Sequence, residues 1–110
     1  MTIRYDNRVA VVTGAGAGLG RSHALFLASR GARVVVNDLG GAVDGSGSSA
    51  TPAQQVVAEI KAAGGEAVAN ADSVATPAGA ARIVQTALDN WGRIDILINN
   101  AGNLRDKTIA

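Results

Sequence analysis

Strand-length apolar segments alternate with stretches of helical length along this chain, and this alternation restricts its fold more than any other feature. The sequence predicts strands at Val9–Val12, Val34–Val36, about Glu66–Ala71 and Ile94–Ile98. Helices are predicted between them at about residues 19–30, 52–63 and 77–91, each followed by a glycine that favours helix termination. Strands joined by helices of this length pair in parallel through right-handed crossovers, so the sequence predicts an α/β fold with helices flanking a parallel sheet.

The composition limits the chain to one domain and excludes several kinds of site. A length of 110 residues is that of a single domain, and 47% hydrophobic but only 3% aromatic residues predict a core of Ala, Val, Ile and Leu. The sequence contains no cysteine, which excludes disulfides, thiolate metal sites and a cysteine nucleophile. No metal site is predicted.

The charge pattern argues against nucleic acid and membranes as partners. Ten Lys and Arg stand against nine Asp and Glu, and the basic residues are scattered rather than clustered. The apolar runs are far shorter than the roughly 18 residues that a membrane-spanning helix needs. The first six residues are too charged for a signal peptide, so a cytoplasmic location is expected.

A glycine-rich segment, Thr13–Gly20, directly follows the first predicted strand and opens the first predicted helix. The spacing G-x-G-x-x-G fails here, whereas G-x-x-x-G-x-G fits through Gly14, Gly18 and Gly20. Such glycines allow a sharp turn off the strand, close approach of a pyrophosphate to the main chain and close helix–strand packing, while N–H groups at the helix start face the anion. The alternative is a glycine-rich turn without a ligand.

Asp38 follows the second predicted strand, 18 residues after Gly20. This is near the spacing of roughly 20 residues at which a carboxylate accepts hydrogen bonds from the adenosine ribose of a dinucleotide. A carboxylate there also repels a 2′-phosphate, and neither Ala17 nor Leu39 supplies a cation to offset it, so NAD is favoured over NADP. The alternative is that Asp38 only caps the strand or forms a turn.

Two further polar segments follow strands at the edge of the sheet where open parallel sheets bind ligands. Asp72, Ser73 and Val74 follow the third strand, where an adenine-side role and capping of the next helix are both open. Asn99–Gly102 follows the fourth strand, where the amides bridge strands or touch the cofactor, or where the segment is only a polar turn.

The order of these motifs resembles that of the short-chain dehydrogenase/reductase family, and the glycine spacing is not that of its extended branch. The resemblance covers about residues 7–108 and implies a Rossmann-like sheet of strand order 3-2-1-4, here an incomplete doubly wound fold. It implies that residues 1–110 form an NAD-binding domain and assigns roles along the cofactor. The pyrophosphate would lie on Gly14, Gly18, Leu19 and Gly20, the adenosine ribose on Asp38, the adenine beside Asp72, Ser73 and Val74, and the nicotinamide-side ribose against Asn100, Ala101 and Gly102.

Three longer segments resemble the dehydrogenase region of peroxisomal multifunctional enzymes, which oxidise 3-hydroxyacyl-CoA with NAD. They are Val35–Gly41, Ala67–Asn70 and Asn103–Asp106. The resemblance implies a small-molecule alcohol, ketone or acyl-CoA substrate, and a homo-oligomer is expected for the full-length form.

The catalytic residues of that family are missing from the 110 residues. Members use a Ser and a Y-x-x-x-K pair, but the single tyrosine, Tyr5, precedes the first strand and Val9 stands four residues later. Lys61 and Lys107 have no tyrosine partner, and a packed or solvent-facing role is favoured for His23, so no catalytic residue is assigned. We expect the cofactor-binding part of a longer oxidoreductase. The alternative is a stand-alone, non-catalytic NAD-binding module that pairs with another chain.

Overall fold

The sheet has the predicted parallel strands in the predicted order. The computed structural model describes residues 4–16, 18–39 and 51–100. Its elements are β1 (Val9–Thr13), α1 (Gly18–Ser29), β2 (Arg33–Asn37), α2 (Pro52–Ala62), β3 (Glu66–Asn70), α3 (Pro77–Trp91) and β4 (Ile96–Asn99). All pairings between neighbouring strands are parallel, in the order β3-β2-β1-β4. The α/β class, the strand order and the sequence of strands and helices are therefore confirmed.

Alternate side chains of the central strands enter two apolar clusters, one on each face of the sheet. On one face Val12 and Val36 pack with α1 and α2, and on the other Val11 and Val35 pack against Ile83 of α3. β1 is buried along its whole length because it is covered on both faces and paired on both edges. The two clusters consist of buried Ala, Val, Ile and Leu side chains, as the composition predicted for the core.

Local capping explains where α2 and α3 begin. Thr51 and Gln54 form a capping box ahead of Pro52, and the Thr76 hydroxyl accepts a hydrogen bond from the Gly79 N–H at the start of α3. Thr76 is therefore the cap of α3, and the alternative that Asp72 or Ser73 caps this helix is wrong.

The fourth strand begins two residues later than predicted, at Ile96 instead of Ile94. The Asp95 carboxylate explains the difference, because it accepts the Val9 N–H at 2.9 Å while the Asp95 N–H donates to the Val9 carbonyl at 2.8 Å. The Asp95 carboxylate thus takes the place of the main-chain carbonyl that would accept the Val9 N–H in a regular parallel pairing. The Arg93 guanidinium and the Val9 N–H hold the pKa of Asp95 below its usual range.

The face of β4 toward α3 is open, because α3 packs over β1 and β2. Leu97 is 67% exposed, and it lines a groove of about 250 Å³ together with Val84 and Ile94.

None of the described helices is both long and apolar enough to cross a membrane.

Candidate functional site

A cleft at the carboxyl ends of the strands brings together residues that are far apart in the sequence. We call it the carboxyl-edge cleft; its volume is about 400 Å³, within the range of small-molecule sites. Its lining comprises Gly14, Asn37, Asp38, Leu39, Asp72, Ser73, Val74, Ala75 and Asn100. β1 lies between β2 and β4, so the cleft occupies the position where the chain order of the strands reverses.

The turn from β1 into α1 depends on its glycines in two different ways. Gly14 and Gly18 have φ angles of 63° and 60°, in the left-handed region that only glycine adopts readily. A Cβ at Gly18 would meet nothing within 4 Å, so the first turn of α1 presents bare main chain on that side. A Cβ at Gly20 would instead overlap the Gly14 carbonyl oxygen. Gly20 therefore serves close packing, whereas Gly18 leaves open space.

Asp38 is fixed at the end of β2 by main-chain contacts. Its N–H donates to the Asn70 carbonyl at 3.0 Å, which continues the β2–β3 pairing by one residue. One carboxylate oxygen, Oδ2, accepts the Gly16 N–H at 2.7 Å. This distance is typical of a hydrogen bond to a charged acceptor. The carboxylate is thereby drawn toward the glycine turn, in the cleft that Gly14 also lines.

A chain of side-chain hydrogen bonds shapes the side of the cleft after β3. Asn37, only 2% exposed, donates through Nδ2 to Asn70 Oδ1 at 2.8 Å and to the Asp72 carbonyl at 2.9 Å. Asn70 donates through Nδ2 to Asp72 Oδ2 at 2.9 Å, and Arg82 pairs with Asp72 Oδ1 at 2.7 Å. The Arg82 guanidinium, followed by the Asn70 amide, holds the pKa of Asp72 below its usual range.

Ser73 and Val74 continue this wall beyond Asp72. The Ser73 hydroxyl accepts the Ala75 N–H at 3.0 Å, a local turn that orders the approach to α3. Val74 is partly exposed and also lines the neighbouring apolar groove. Both side chains lie at the mouth of the cleft.

The ends of β1 and β4 are joined by the Thr13 hydroxyl. It donates to Asn99 Oδ1 and accepts the Asn100 N–H, each at 3.0 Å. Asn100 Nδ2 reaches the Gly14 carbonyl at 3.4 Å, so the polar segment after β4 is tied to the glycine turn. The sequence left open whether these amides bridge strands. The described residues Asn99 and Asn100 do so.

Six of the predicted site residues line the carboxyl-edge cleft, and their assignment to a cofactor stays a prediction. They are Gly14, Asp38, Asp72, Ser73, Val74 and Asn100. Gly18, Leu19 and Gly20 lie in the adjoining first turn of α1, where Leu19 is 69% exposed. Ala101 and Gly102 lie outside the described residues.

Sequence reasoning missed the residues that hold the site in shape, Gly16, Asn37 and Asn70. One signal was available, since Asn37 ends an otherwise apolar strand, Arg33–Asn37. A buried amide in such a strand requires partners, and Asn70 at the end of β3 and Asp72 just after it supply them.

Comparison with known proteins decides the family. A model described as short chain dehydrogenase matches residues 8–110. The chain belongs to the short-chain dehydrogenase family. The family predicted from the glycine spacing, Asp38, Asp72 and the segment after β4 is confirmed, and so is its Rossmann-type fold.

Relatives of this short-chain dehydrogenase chain are longer. The peroxisomal multifunctional enzyme type 2 of Drosophila melanogaster is 59% identical over 97% of the chain and 17% of its own length. A crystal structure of a short chain dehydrogenase from Mycobacterium avium is 56% identical with a TM-score of 0.82, over 94% of this chain and 36% of that one. The structure of a 7α-hydroxysteroid dehydrogenase complexed with NADH and 7-oxo glycochenodeoxycholic acid is 37% identical with a TM-score of 0.79. The match covers 91% of this chain and 36% of that one.

The short-chain dehydrogenase chain thus spans between 17% and 36% of the length of these three proteins. The resemblance to peroxisomal multifunctional enzymes is confirmed at the level of similarity. The Drosophila relative carries a peroxisomal name, which the expected cytoplasmic location did not anticipate, and the location of this chain stays a prediction.

Proposed function

We propose that this chain binds NAD in the carboxyl-edge cleft, as the cofactor-binding part of a dehydrogenase that oxidises a secondary alcohol. The position of Asp38 carries the proposal, because its carboxylate lies in the same cleft as the glycine turn. Among the described residues that line the cleft there is no Lys or Arg, and Arg82 is already paired with Asp72, so the Asp38 carboxylate would repel a 2′-phosphate on the adenosine ribose. This charge pattern favours NAD over NADP.

The residues present fit a dinucleotide along the whole edge. The open side of Gly18 leaves room for a pyrophosphate against the main-chain amides of Gly18, Leu19 and Gly20, with Gly14 at the turn. Asp38 would accept hydrogen bonds from the adenosine ribose.

The remaining cleft residues would contact the two ends of the cofactor. Asp72, Ser73 and Val74 would flank the adenine, and Asn100 would approach the nicotinamide-side ribose, as would Ala101 and Gly102. When bound, NAD supplies the hydride acceptor. The chain's own residues bind it and orient it.

The Y-x-x-x-K pair that the family resemblance implies as the source of the general base is not among the described residues that line the cleft. Tyr5 precedes β1, and its N–H donates to the Arg30 carbonyl just after α1. This contact places Tyr5 at the amino ends of the strands, away from the cleft at their carboxyl ends. The chain covers only 17% and 36% of the length of two relatives, and we assign the proposed reaction to a longer protein of which this chain is the cofactor-binding part. A 3-hydroxyacyl-CoA substrate is proposed from the resemblance to peroxisomal multifunctional enzymes. The stand-alone module and the homo-oligomer stay predictions.

Titration calorimetry of the chain with NAD and NADP tests the binding proposal. Asp38→Ala should weaken NAD binding about 10- to 100-fold, the loss expected for hydrogen bonds to a charged acceptor, and should reduce the preference for NAD over NADP. Asp89→Ala is the matched control, because Asp89 is an exposed residue near the end of α3, where its carboxylate accepts a hydrogen bond from the Gln85 amide. Unchanged affinity of Asp38→Ala for both dinucleotides would refute the ribose assignment.

The thermal midpoint offers a second measurement. A ligand that binds only the native state must raise it in a concentration-dependent way. A midpoint that does not move at millimolar NAD would argue against a nucleotide site and leave a purely structural role.

A further inference from the structure

We propose that Gly16 is a specificity-determining position that acts through Asp38. Its N–H fixes where the Asp38 carboxylate stands, and the absence of a side chain at position 16 makes that placement possible. Rejection of a 2′-phosphate then depends on the Gly16–Asp38 pair and not on the charge of Asp38 alone. The inference rests on the proposed binding of NAD.

The space around Gly16 is closed on the side of Asp38 and α2. A Cβ at position 16 would lie 2.6 Å from Asp38 Oδ2, 2.9 Å from Asp38 Cγ and 2.5 Å from Pro52 Cβ. Distances below 3.0 Å to a Cβ require that something move. The hydrogen bond from the Gly16 N–H to the same Oδ2 is 2.7 Å long. The main chain can approach the carboxylate this closely because glycine has no side chain.

Only one of these neighbours moves easily. The main chain of Asp38 is bonded to the Asn70 carbonyl, and Pro52 is the first residue of α2, held by the Thr51 capping box. α2 is anchored in the core by Val56 and Ile60. Moving the Asp38 carboxylate does not relieve the contact with Pro52, so a side chain at position 16 would push its own main chain away from α2 as well as displace the carboxylate, and the Gly16–Asp38 hydrogen bond would be lost or lengthened.

Displacement of the Asp38 carboxylate should reduce the preference for NAD over NADP. Two ribose hydroxyls bind a carboxylate only if its oxygens stand in a fixed position, whereas repulsion of a 2′-phosphate falls as the carboxylate moves away. Affinity for NAD should decrease while affinity for NADP changes less. A general disturbance of the pyrophosphate site would instead weaken both dinucleotides equally.

Calorimetry with NAD and NADP on Gly16→Ala tests the proposal directly. We expect NAD affinity and the NAD:NADP affinity ratio each to fall about tenfold, the size of one hydrogen bond to a charged group. In an Asp38→Ala background the same Gly16→Ala change should leave the ratio unaltered, because the residue through which it acts is gone. Gly64→Ala is the control for a destabilising Gly→Ala change away from the cleft, and its NAD:NADP ratio should stay that of the wild type: Gly64 follows α2 at the amino ends of the strands, its positive φ of 94° strains alanine, and an added Cβ there meets nothing within 4 Å.

Asp38→Glu decides the question independently, including the case in which Gly16→Ala does not fold. This variant keeps the charge but moves the carboxylate by one methylene. If position matters, the NAD:NADP ratio of Asp38→Glu falls toward that of Asp38→Ala. If charge alone suffices, the ratio stays that of the wild type and the inference is overturned.

Failure of the inference differs from failure of the proposed function. A wild-type chain that binds NAD, with an unchanged ratio in Gly16→Ala or an equal loss for both dinucleotides, overturns only the role of Gly16. A wild-type chain that binds neither dinucleotide overturns the proposed function and the inference with it.

Discussion

Replacement of Thr13 by valine should destabilise the chain by separating the ends of β1 and β4. Thr13 is 3% exposed, and its hydroxyl makes two hydrogen bonds of 3.0 Å, to Asn99 Oδ1 and from the Asn100 N–H. Valine fills nearly the same space but makes neither bond. Each bond contributes about 1 kcal/mol net, and partners left without a bond add to the loss, so we expect about 2–3 kcal/mol.

Thermal and urea denaturation followed by far-UV circular dichroism measure this loss. For a domain of this size, 2–3 kcal/mol corresponds to a decrease of about 10 °C in the thermal midpoint. Thr13→Ser is the control, because serine keeps the hydroxyl and loses one methyl group, at a cost of about 1 kcal/mol. Thr13→Val should therefore be the less stable of the two, although valine has the higher strand propensity. A valine variant as stable as the serine variant would refute the role of the hydroxyl.

The glycine turn and Asp72 give further expectations. Gly18→Ala should fold with a loss of about 1–2 kcal/mol from the left-handed backbone and should weaken NAD binding by calorimetry, because its Cβ enters the open space. Gly20→Ala should lose more stability in urea denaturation, because its Cβ overlaps the Gly14 carbonyl; equal stability of the two variants would contradict this distinction. The lowered pKa of Asp72 means that its stabilising contribution is present above the usual carboxyl pKa and is lost as the pH falls through the lowered value. Arg82→Ala should therefore reduce the dependence of unfolding free energy on pH in the acid range, and an unaltered acid limb would argue against the ion pair.

The elements could be predicted from the sequence because hydrophobic pattern and glycine stops agree along the chain. The exception is the start of β4. Ile94 and Ile96 are both apolar and β-branched, so periodicity alone places both in the strand. The Asp95 carboxylate takes the Val9 N–H in place of a carbonyl, and such a substitution of side chain for main chain has no signature in the hydrophobic pattern.

The site was predictable where position along a strand determines proximity. Residues that follow parallel strands meet at one edge, which is why Asp38, Asp72 and Asn100 line one cleft. The long-range side-chain contacts that shape this cleft were not predictable, because they join residues between 22 and 87 positions apart in the sequence. The pairing of Asn37 with Asn70 and of Gly16 with Asp38 belongs to this class.

Stability and selectivity are linked at this edge because the same hydrogen bonds serve both. Asn37, on the buried side of β2, sets the position of the Asp72 carbonyl, and its neighbour Asp38 is set by the Gly16 N–H. The Asp72 carboxylate is in turn held by Asn70 and Arg82. A substitution that relaxes Asn37 or crowds Gly16 should therefore alter ligand preference without touching the ligand, whereas core substitutions between the sheet and α3, such as Ile83→Val, should reduce stability and leave the NAD:NADP ratio unchanged.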